Sequence, residues 1–278
     1  PVEELVKYPN DSFITNIFVM LKVVPLYLIA IFAPLNLSVE HIVKTPACFF
    51  EVPVVLGFLM AAIFLVLSSY AYKKSKTAFF WMMFSAITFL PTSNIIPMQN
   101  IVAERYLYLP LIGVCVLCGW LCSRSSKVGY IIVGCAFVFF STTTILRNLD
   151  WRSDFILYSK TLKQVPNSPG INITMGLIYA KYKNYPKGFE YVDRALKLDP
   201  KLLDGQGALA LIYQDTGEYD RAVEIYEKTI AEKKYTIHKA PFLNLGIIYK
   251  IKKQYQKAAE NFNRTIELNP LSSVAYAH

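Results

Sequence analysis

The sequence predicts an all-α protein in two parts, a membrane-embedded set of helices followed by a soluble solenoid of helical repeats. Charge is distributed unevenly: residues 1–146 hold nine Lys/Arg and six Asp/Glu, whereas residues 147–278 hold twenty and fourteen. Long apolar runs are confined to the first part, and a self-similarity with a period near 34 residues is confined to the second. We therefore expect a transmembrane domain over 1–146, a linker and half-repeat over 147–168, and an array of three repeats plus a truncated one over 169–278.

The apolar runs predict the membrane helices. A helix needs about 20 mostly apolar residues to cross a bilayer, and four stretches have or approach that length. A fifth run, 13–33, contains Lys22 and Pro25, so the sequence leaves open whether it spans the membrane or lies in the interface. The four predicted spans are 52–72, 77–90, 106–122 and 128–146.

Basic residues in the short loops predict the orientation of these spans. Lys73, Lys74 and Lys76 separate the first two, and Arg124 and Lys127 separate the last two. Because Lys and Arg accumulate in cytoplasmic loops, both loops are predicted to be cytoplasmic. The connection 91–105 and everything after the last span would then lie on the lumenal or extracytoplasmic side.

The second part aligns on itself with steps of 34, 34 and 36 residues, the spacing of tetratricopeptide (TPR) repeats. Each repeat of this kind is a pair of helices, and small residues at fixed positions let the two helices approach closely. The recurring positions are Met175, Gly176 and Tyr179; Leu209, Ala210 and Tyr213; Leu245, Gly246 and Tyr249; and, in the second helices, Gly188, Ala222 and Ala258, followed by Val192, Tyr226 and Phe262 and then by Ala195, Thr229 and Thr265.

The first helices of such an array form its inner surface, which predicts a groove for an extended peptide of a partner or acceptor protein. The alternative is a spacer or a membrane-packing scaffold. Neither part has a basic stripe with interleaved aromatics, so no nucleic acid is expected, and the scattered histidines predict no metal site. The predicted groove residues are Ile173, Leu177, Lys181, Leu211, Asp215, Leu243 and Ile247.

The connection 90–110, LPTSNIIPMQNIVAERYLYLP, is the most informative short stretch. It brings Glu104 and Arg105 to the mouth of the membrane part. A charged pair at a membrane boundary serves equally well as a solvated helix start or as a phosphate site, because a guanidinium binds phosphate oxygens through a planar fork.

The LP-x-SN-x-x-P and AER-x-LYLP elements of this connection resemble the transmembrane and TPR-repeat-containing (TMTC) protein O-mannosyltransferase family. The run from Phe13 to Ile42 and the stretch Trp151-Arg-Ser-Asp154 before the repeats are similar to it as well. Glu40-His41 stands where that family has an acidic-aromatic pair, a departure that leaves those two positions without an assigned role.

The resemblance implies a GT-C-like membrane glycosyltransferase of the endoplasmic reticulum membrane or of a bacterial or archaeal inner membrane. Its donor would be mannose, or another hexose, on polyprenyl or dolichyl phosphate; no other cofactor is implied. The acceptor would be a Ser or Thr hydroxyl of a protein held at the repeats. Arg105 would bind the donor phosphate, Glu104 would orient Arg105, and the catalytic acidic residue is expected upstream of residue 1. The alternative is a non-catalytic, membrane-anchored TPR adaptor for extracytoplasmic proteins.

Overall fold

The computed structural model describes Tyr8, Met98 and the ranges 12–35, 37–96, 100–124, 126–231 and 240–277. Over these residues the chain consists of α-helices and short 3-10 turns without any strand, which confirms the predicted all-α class. The chain divides into two compact units between residues 152 and 153. We call them the membrane unit and the repeat unit.

Five helices and two 3-10 turns make up the described membrane unit. Four segments are long and apolar enough to cross a membrane: Phe13–Phe32, Val52–Lys74, Glu104–Ser123 and Lys127–Asp150. The run whose disposition the sequence left open is thus a 20-residue helix, capped at its start by the Ser12 hydroxyl. The elements are α1 (Phe13–Phe32), α2 (Val52–Lys74), α3 (Lys76–Phe89), the turns Leu90–Thr92 and Glu104–Leu107, α4 (Tyr108–Ser123) and α5 (Ser126–Asp150).

The predicted span at 77–90 is the one that departs from expectation. Helix α3 has 14 residues and ends at Phe89, because Pro91 falls in the 3-10 turn that follows. At 1.5 Å per residue it rises about 21 Å, less than the roughly 30 Å of a hydrocarbon core. It packs against α4, where the Ser85 hydroxyl donates a hydrogen bond to the carbonyl of Pro110 at 3.0 Å.

Helix α1 packs across one end of the other helices. Its Lys22 Nζ lies 3.0 Å from Glu51 Oε2 at the start of α2, and its Tyr27 ring lies 5.3 Å from the ring of Phe89 at the end of α3. The Tyr27 hydroxyl also accepts a hydrogen bond from the backbone N–H of Ala103, just before α4. The chain reverses direction between α2 and α3 and again between α3 and α4, so the starts of α2 and α4 lie at the same end of the unit as the end of α3. Helix α1 contacts that end of all three helices.

The repeat unit contains an opening helix and three antiparallel helix pairs. Each pair packs on the next, so that the apolar face of one repeat is covered by its neighbour. A short helix follows the third pair. The helices are α6 (Asp154–Gln164), then α7 (Pro169–Lys181) with α8 (Tyr185–Leu198), α9 (Leu203–Asp215) with α10 (Tyr219–Ala231), α11 (Ala240–Ile251) with α12 (Tyr255–Leu268), and α13 (Ser273–Tyr276).

Glycines mark the close approach of the two helices within a repeat. A Cβ on Gly176 would lie 2.6 Å from Val192 Cγ2, and one on Gly246 would lie 2.5 Å from Phe262 Cε1. Real Cβ atoms do not approach so closely. The aromatic Tyr226 and Phe262 are buried in one cluster formed by the second and third pairs. The predicted role of the small positions is therefore confirmed.

Candidate functional sites in the two units

In the membrane unit, Glu104 joins the connection before α4 to the connection between α1 and α2. It opens the turn Glu104–Leu107, and its Oε1 accepts a hydrogen bond from the backbone N–H of Ser38 at 2.7 Å. The same oxygen lies 3.5 Å from His41 Nε2. Two stretches far apart in sequence thus meet at one carboxylate. We call Ser38, His41 and Glu104 the loop cluster.

The chain on either side of Glu104 is held in place by further hydrogen bonds. Upstream, Ala103 is bound to the Tyr27 hydroxyl. Downstream, the Tyr106 hydroxyl donates to the carbonyl of Asn100 at 3.1 Å. The backbone that carries Glu104 is therefore held in place on both sides.

Asn94 anchors the middle of the same connection. It is buried and has a positive φ of 54°, a conformation that Asn tolerates better than most residues. Its Nδ2 donates to Asn16 Oδ1 at 2.7 Å, and Asn16 Nδ2 donates back to the Asn94 carbonyl at 2.9 Å. Asn94 Oδ1 accepts from the N–H of Met98 at 2.7 Å. Asn94 thus both fixes the loop on α1 and, through its side-chain oxygen, holds the backbone of the loop itself.

Arg105 is exposed beside the loop cluster, with its guanidinium carbon 5.3 Å from the Tyr106 ring centroid. The sequence predicted that Glu104 would orient Arg105 directly. In the structure the Glu104 carboxylate is engaged with Ser38 and His41 instead. Glu104 therefore fixes the turn that carries Arg105, and the guanidinium is left facing outward. Nothing in the local sequence signals this, because the partners lie more than 60 residues upstream.

Lys22 is an isolated charge within an apolar helix, and its contacts explain how it is accommodated. Besides the Glu51 ion pair, its Nζ donates to the carbonyl of Lys44 at 3.1 Å. The N–H of Ala47, and then Lys22, hold the pKa of the Glu51 carboxyl below its usual range. These contacts tie the α1–α2 connection down near the loop cluster.

In the repeat unit, the first helices of the three pairs, together with Tyr226 of α10, line an open cavity of about 490 Å³. Ile173, Leu177 and Leu211, three of the seven predicted groove residues, line it. Small residues of α7 and α9 form part of the wall, and polar side chains come from four helices, α7, α9, α10 and α11. The remaining lining residues are Gly170, Thr174, Asp204, Gly207, Ala208, Tyr226, Pro241 and Asn244.

Four predicted groove residues lie elsewhere. Lys181 pairs with Asp154 of α6 at 3.8 Å. Asp215 is exposed at the surface, and partial desolvation raises the pKa of its carboxyl. Leu243 and Ile247 pack against the core between the second and third pairs. The cavity therefore sits about one helical turn closer to the N-termini of the first helices than predicted. The glycines at 170 and 207 were the sequence signal for that position.

Polar specificity in the cavity comes from Tyr226 and Asn244. Asn244 Nδ2 donates to the Tyr226 hydroxyl at 2.9 Å, which links the second helix of one repeat to the first helix of the next. Asp204 adds a carboxylate to the lining. Among the residues that the structure describes, no group of three or more His, Cys, Asp or Glu side chains could hold a metal ion.

Comparison with known proteins finds similarity in both units. The family model for the tetratricopeptide repeat matches residues 204–233 and 241–270. Human protein O-mannosyl-transferase TMTC3 is 26% identical over 227 residues, which cover 74% of this chain and 25% of the relative. Mouse TMTC3 is 26% identical over 73% of this chain and 24% of its own length. Drosophila melanogaster protein O-mannosyl-transferase Tmtc2 is 29% identical over 44% of this chain and 14% of its own.

The chain is similar to the TMTC proteins. The similarity to human TMTC3 extends over about three quarters of this chain, well beyond the matched repeats. The chain spans about a quarter of the length of the TMTC3 relatives. The four apolar helices found among the described residues indicate a membrane protein.

A solved structure of YrrB, described as a TPR protein with an unusual peptide-binding site, also matches. It is 17% identical, covers 76% of this chain and 96% of its own, and has a TM-score of 0.37.

Proposed function

We propose that this TMTC-like chain is part of a membrane glycosyltransferase that moves mannose, or another hexose, from polyprenyl or dolichyl phosphate to Ser or Thr of a protein. The observation that carries the proposal is the similarity to proteins named O-mannosyl-transferases across both units. The exposed Arg105 on a fixed turn supplies the local chemistry. In the reaction the acceptor oxygen attacks the anomeric carbon, the bond from that carbon to the phosphate oxygen breaks, and the lipid phosphate leaves with the electron pair.

In this proposal Arg105 binds the donor phosphate. A guanidinium offers paired N–H donors that match phosphate oxygens, and it stabilises the negative charge that grows on the leaving group. The hydroxyl proton of the acceptor passes to a general base. We assign that base to the part of the whole protein that precedes this chain. Glu104 serves Arg105 indirectly, by tying its turn to Ser38 and His41.

The TPR cavity would hold the acceptor polypeptide. Its apolar wall with Asp204 and Asn244 suits an extended segment whose backbone needs polar partners. A second candidate function rests on the same cavity: a membrane-anchored adaptor that binds extracytoplasmic proteins without catalysis. The adaptor needs the cavity and has no use for Arg105.

Replacement of Arg105 separates the two functions. In the full-length protein, Arg105→Ala removes a hydrogen bond to a charged group, which costs about 1.5–3 kcal/mol. Transfer from dolichyl phosphate mannose to an acceptor protein should therefore fall roughly 10- to 100-fold. Arg105→Lys should recover only part of it, because an ammonium lacks the fork. The measurement is initial-rate transfer at saturating acceptor, with protease resistance as the check on folding.

Arg124 provides the matched control. It lies at the other end of α4 and stacks over Trp120, with its guanidinium carbon 4.0 Å from the ring centroid. Arg124→Ala should leave transfer unchanged. Full activity of Arg105→Ala would assign Arg105 to a boundary anchor and favour the adaptor.

We propose an extracytoplasmic location for the loop cluster and the repeats. The basic residues Lys73, Lys74, Lys76 and Arg124 lie at one end of α2–α4, and the cluster lies at the other. If α2, α3, α4 and α5 all cross while α1 lies along the membrane surface, residues 33–51, 90–107 and 153–277 share the side opposite the basic loops. Packing of the short α3 along α4 supports its inclusion, since it gives α3 a protein partner across most of its length.

Thiol labelling tests this topology. Lys228 is exposed on α10, so Lys228→Cys should react with an impermeant maleimide only from the lumenal side, and so should the native, exposed Cys48. Lys74→Cys should react only from the cytoplasm. For the two lysine variants the background has alanine at all five cysteines, and for Cys48 it has alanine at the four cysteines of α4 and α5. Cytoplasmic labelling at residue 228 would overturn both the orientation and the lipid-donor mechanism.

A further inference from the structure

The loop cluster contains a buried hydroxyl without a partner. Ser38 is only 7% exposed, and its Oγ has no hydrogen bond among the described residues. Its backbone N–H is already bound to Glu104 Oε1. Buried polar groups in folded proteins are almost always paired, and one that is left unpaired costs free energy. The fold thus maintains a polar atom that the protein itself does not satisfy.

This hydroxyl sits beside groups that can bind a ligand. Given the bond lengths within a serine, Ser38 Oγ lies at most about 6 Å from Glu104 Oε1. The side chains of His41 and Glu104 are 27% and 30% exposed, so both can be reached from outside. Glu104 Oε2 makes no hydrogen bond to any described residue, and a carboxylate oxygen can accept two. The Ser38 hydroxyl therefore lies close to a partly exposed set of donor and acceptor groups.

The charge of the cluster selects the chemistry of its ligand. A carboxylate repels phosphate, so Glu104 excludes an anionic group from its own position while Arg105, the next residue, attracts one. One carboxylate and one imidazole are too few ligands for a metal ion, in agreement with the absence of a metal-binding group among the described side chains. Neutral hydroxyls fit, because they donate to a carboxylate and accept from serine or imidazole.

We propose that Ser38, His41 and Glu104 form a subsite for the hydroxyl groups of the donor hexose, next to the phosphate contact of Arg105. This inference rests on the proposed function. The sugar and phosphate of one donor are adjacent, as are Glu104 and Arg105 on one turn. The Lys22–Glu51 and Tyr27–Ala103 contacts hold the α1–α2 connection and the connection before α4 in fixed positions on α1. The subsite is therefore formed before the donor binds.

A binding comparison between two lipids tests the subsite. The full-length protein, purified in detergent, is titrated with dolichyl phosphate mannose and with dolichyl phosphate, which lacks the sugar. Ser38→Ala should weaken binding of the mannosyl lipid roughly 2- to 10-fold, the worth of one hydrogen bond, and leave binding of dolichyl phosphate unchanged. Arg105→Ala should weaken binding of both lipids.

Two further readouts distinguish a ligand-binding hydroxyl from a structural one. Ser38→Ala removes an unpaired buried group, so the melting temperature should stay the same or rise while mannosyl-lipid binding falls. Glu104→Gln should weaken the mannosyl lipid, yet leave dolichyl phosphate binding equal or tighter because a negative charge is lost. Ser93→Ala is the matched control. Its hydroxyl is paired with the Leu90 carbonyl at 2.6 Å, so its removal should not change the ratio of the two affinities.

The outcomes separate this inference from the proposed function. Wild-type protein that binds neither lipid overturns both. Binding of both lipids, with Ser38→Ala weakening them equally or not at all, overturns the subsite and leaves the phosphate contact standing. A fall in the melting temperature of Ser38→Ala in proportion to its loss of binding would also overturn it, because the hydroxyl would then be structural.

Discussion

The membrane unit and the repeat unit bury opposite kinds of side chain. In the repeat unit, large aromatics are inside: Tyr226 is 2% exposed and Phe262 is 6% exposed, while charges cover the outer faces. In the membrane unit, most large apolar side chains are outside, with Phe137 at 73%, apart from a buried cluster around Val23 and Tyr27. Water drives apolar groups inward in the first case. In a bilayer the surrounding lipid is as apolar as the side chains, so that force does not act between helices.

Small and polar residues take over the packing in the membrane unit. The four buried residues of the 23-residue α2 are Val54, Gly57, Ser68 and Ala71. A Cβ on Gly57 would lie 1.9 Å from the backbone oxygen of Leu21, so the two helices meet backbone to backbone. Close approach at glycine occurs in both units, whereas no aromatic side chain of α2 is buried. The comparison teaches that apolar content alone does not identify a core.

The largest effect should come from deleting one aromatic ring in each unit. Phe262→Ala leaves a cavity between repeats and should lower the free energy of unfolding of the repeat unit by about 3–5 kcal/mol. Phe137→Ala removes an equal ring from an outward-facing position of α5, so the melting temperature in detergent should barely change. Denaturant and thermal unfolding of the two variants measure the difference. Equal losses would contradict the assignment of α5 to a lipid-facing position.

A smaller effect should separate two glycines of α4. A Cβ on Gly113 would lie 2.1 Å from Ser85 Oγ and 2.7 Å from the Trp81 carbonyl, whereas one on Gly119 would meet no atom within 4 Å. Gly113→Ala should therefore overpack the α3–α4 contact, at a cost of about 1–3 kcal/mol. Gly119→Ala serves as the control and should leave stability unchanged, or raise it slightly because alanine favours helix. Thermal unfolding in detergent reads out both, and indistinguishable variants would rule out the α3–α4 packing.

The smallest effect concerns a carboxyl group in the repeat unit. Burial raises the pKa of Asp215 above its unfolded value, so the stability linked to this group is fully present below the unfolded pKa of about 3.9. It is lost as pH rises through the folded value. Asp215→Asn should therefore raise the melting temperature slightly at neutral pH and leave it unchanged in acid. Asp193, exposed and paired with Lys197, gives the control substitution Asp193→Asn. A variant that is equally stabilised at both pH values would contradict the role of ionisation.

Patterns that repeat along the chain could be predicted from the sequence. The 34-residue period placed the helix pairs and assigned Gly176, Gly246 and Phe262 to contacts that the structure confirms. The apolar runs located α2, α4 and α5. Each of these features depends on the spacing of residues within one helix or between one repeat and the next. They are therefore encoded by residues that are close in sequence.

Contacts between distant segments could only come from the tertiary structure. The loop cluster joins Ser38 to Glu104 across 66 residues, and the Asn16–Asn94 pair joins segments 78 residues apart. Sequence alone marked Glu104 and Arg105 as polar residues at a membrane boundary and paired them with each other. In the folded protein Glu104 contacts Ser38 and His41 instead, because these are the donors that the folded backbone brings close to its carboxylate. Their position depends on how α1 packs across the ends of α2, α3 and α4.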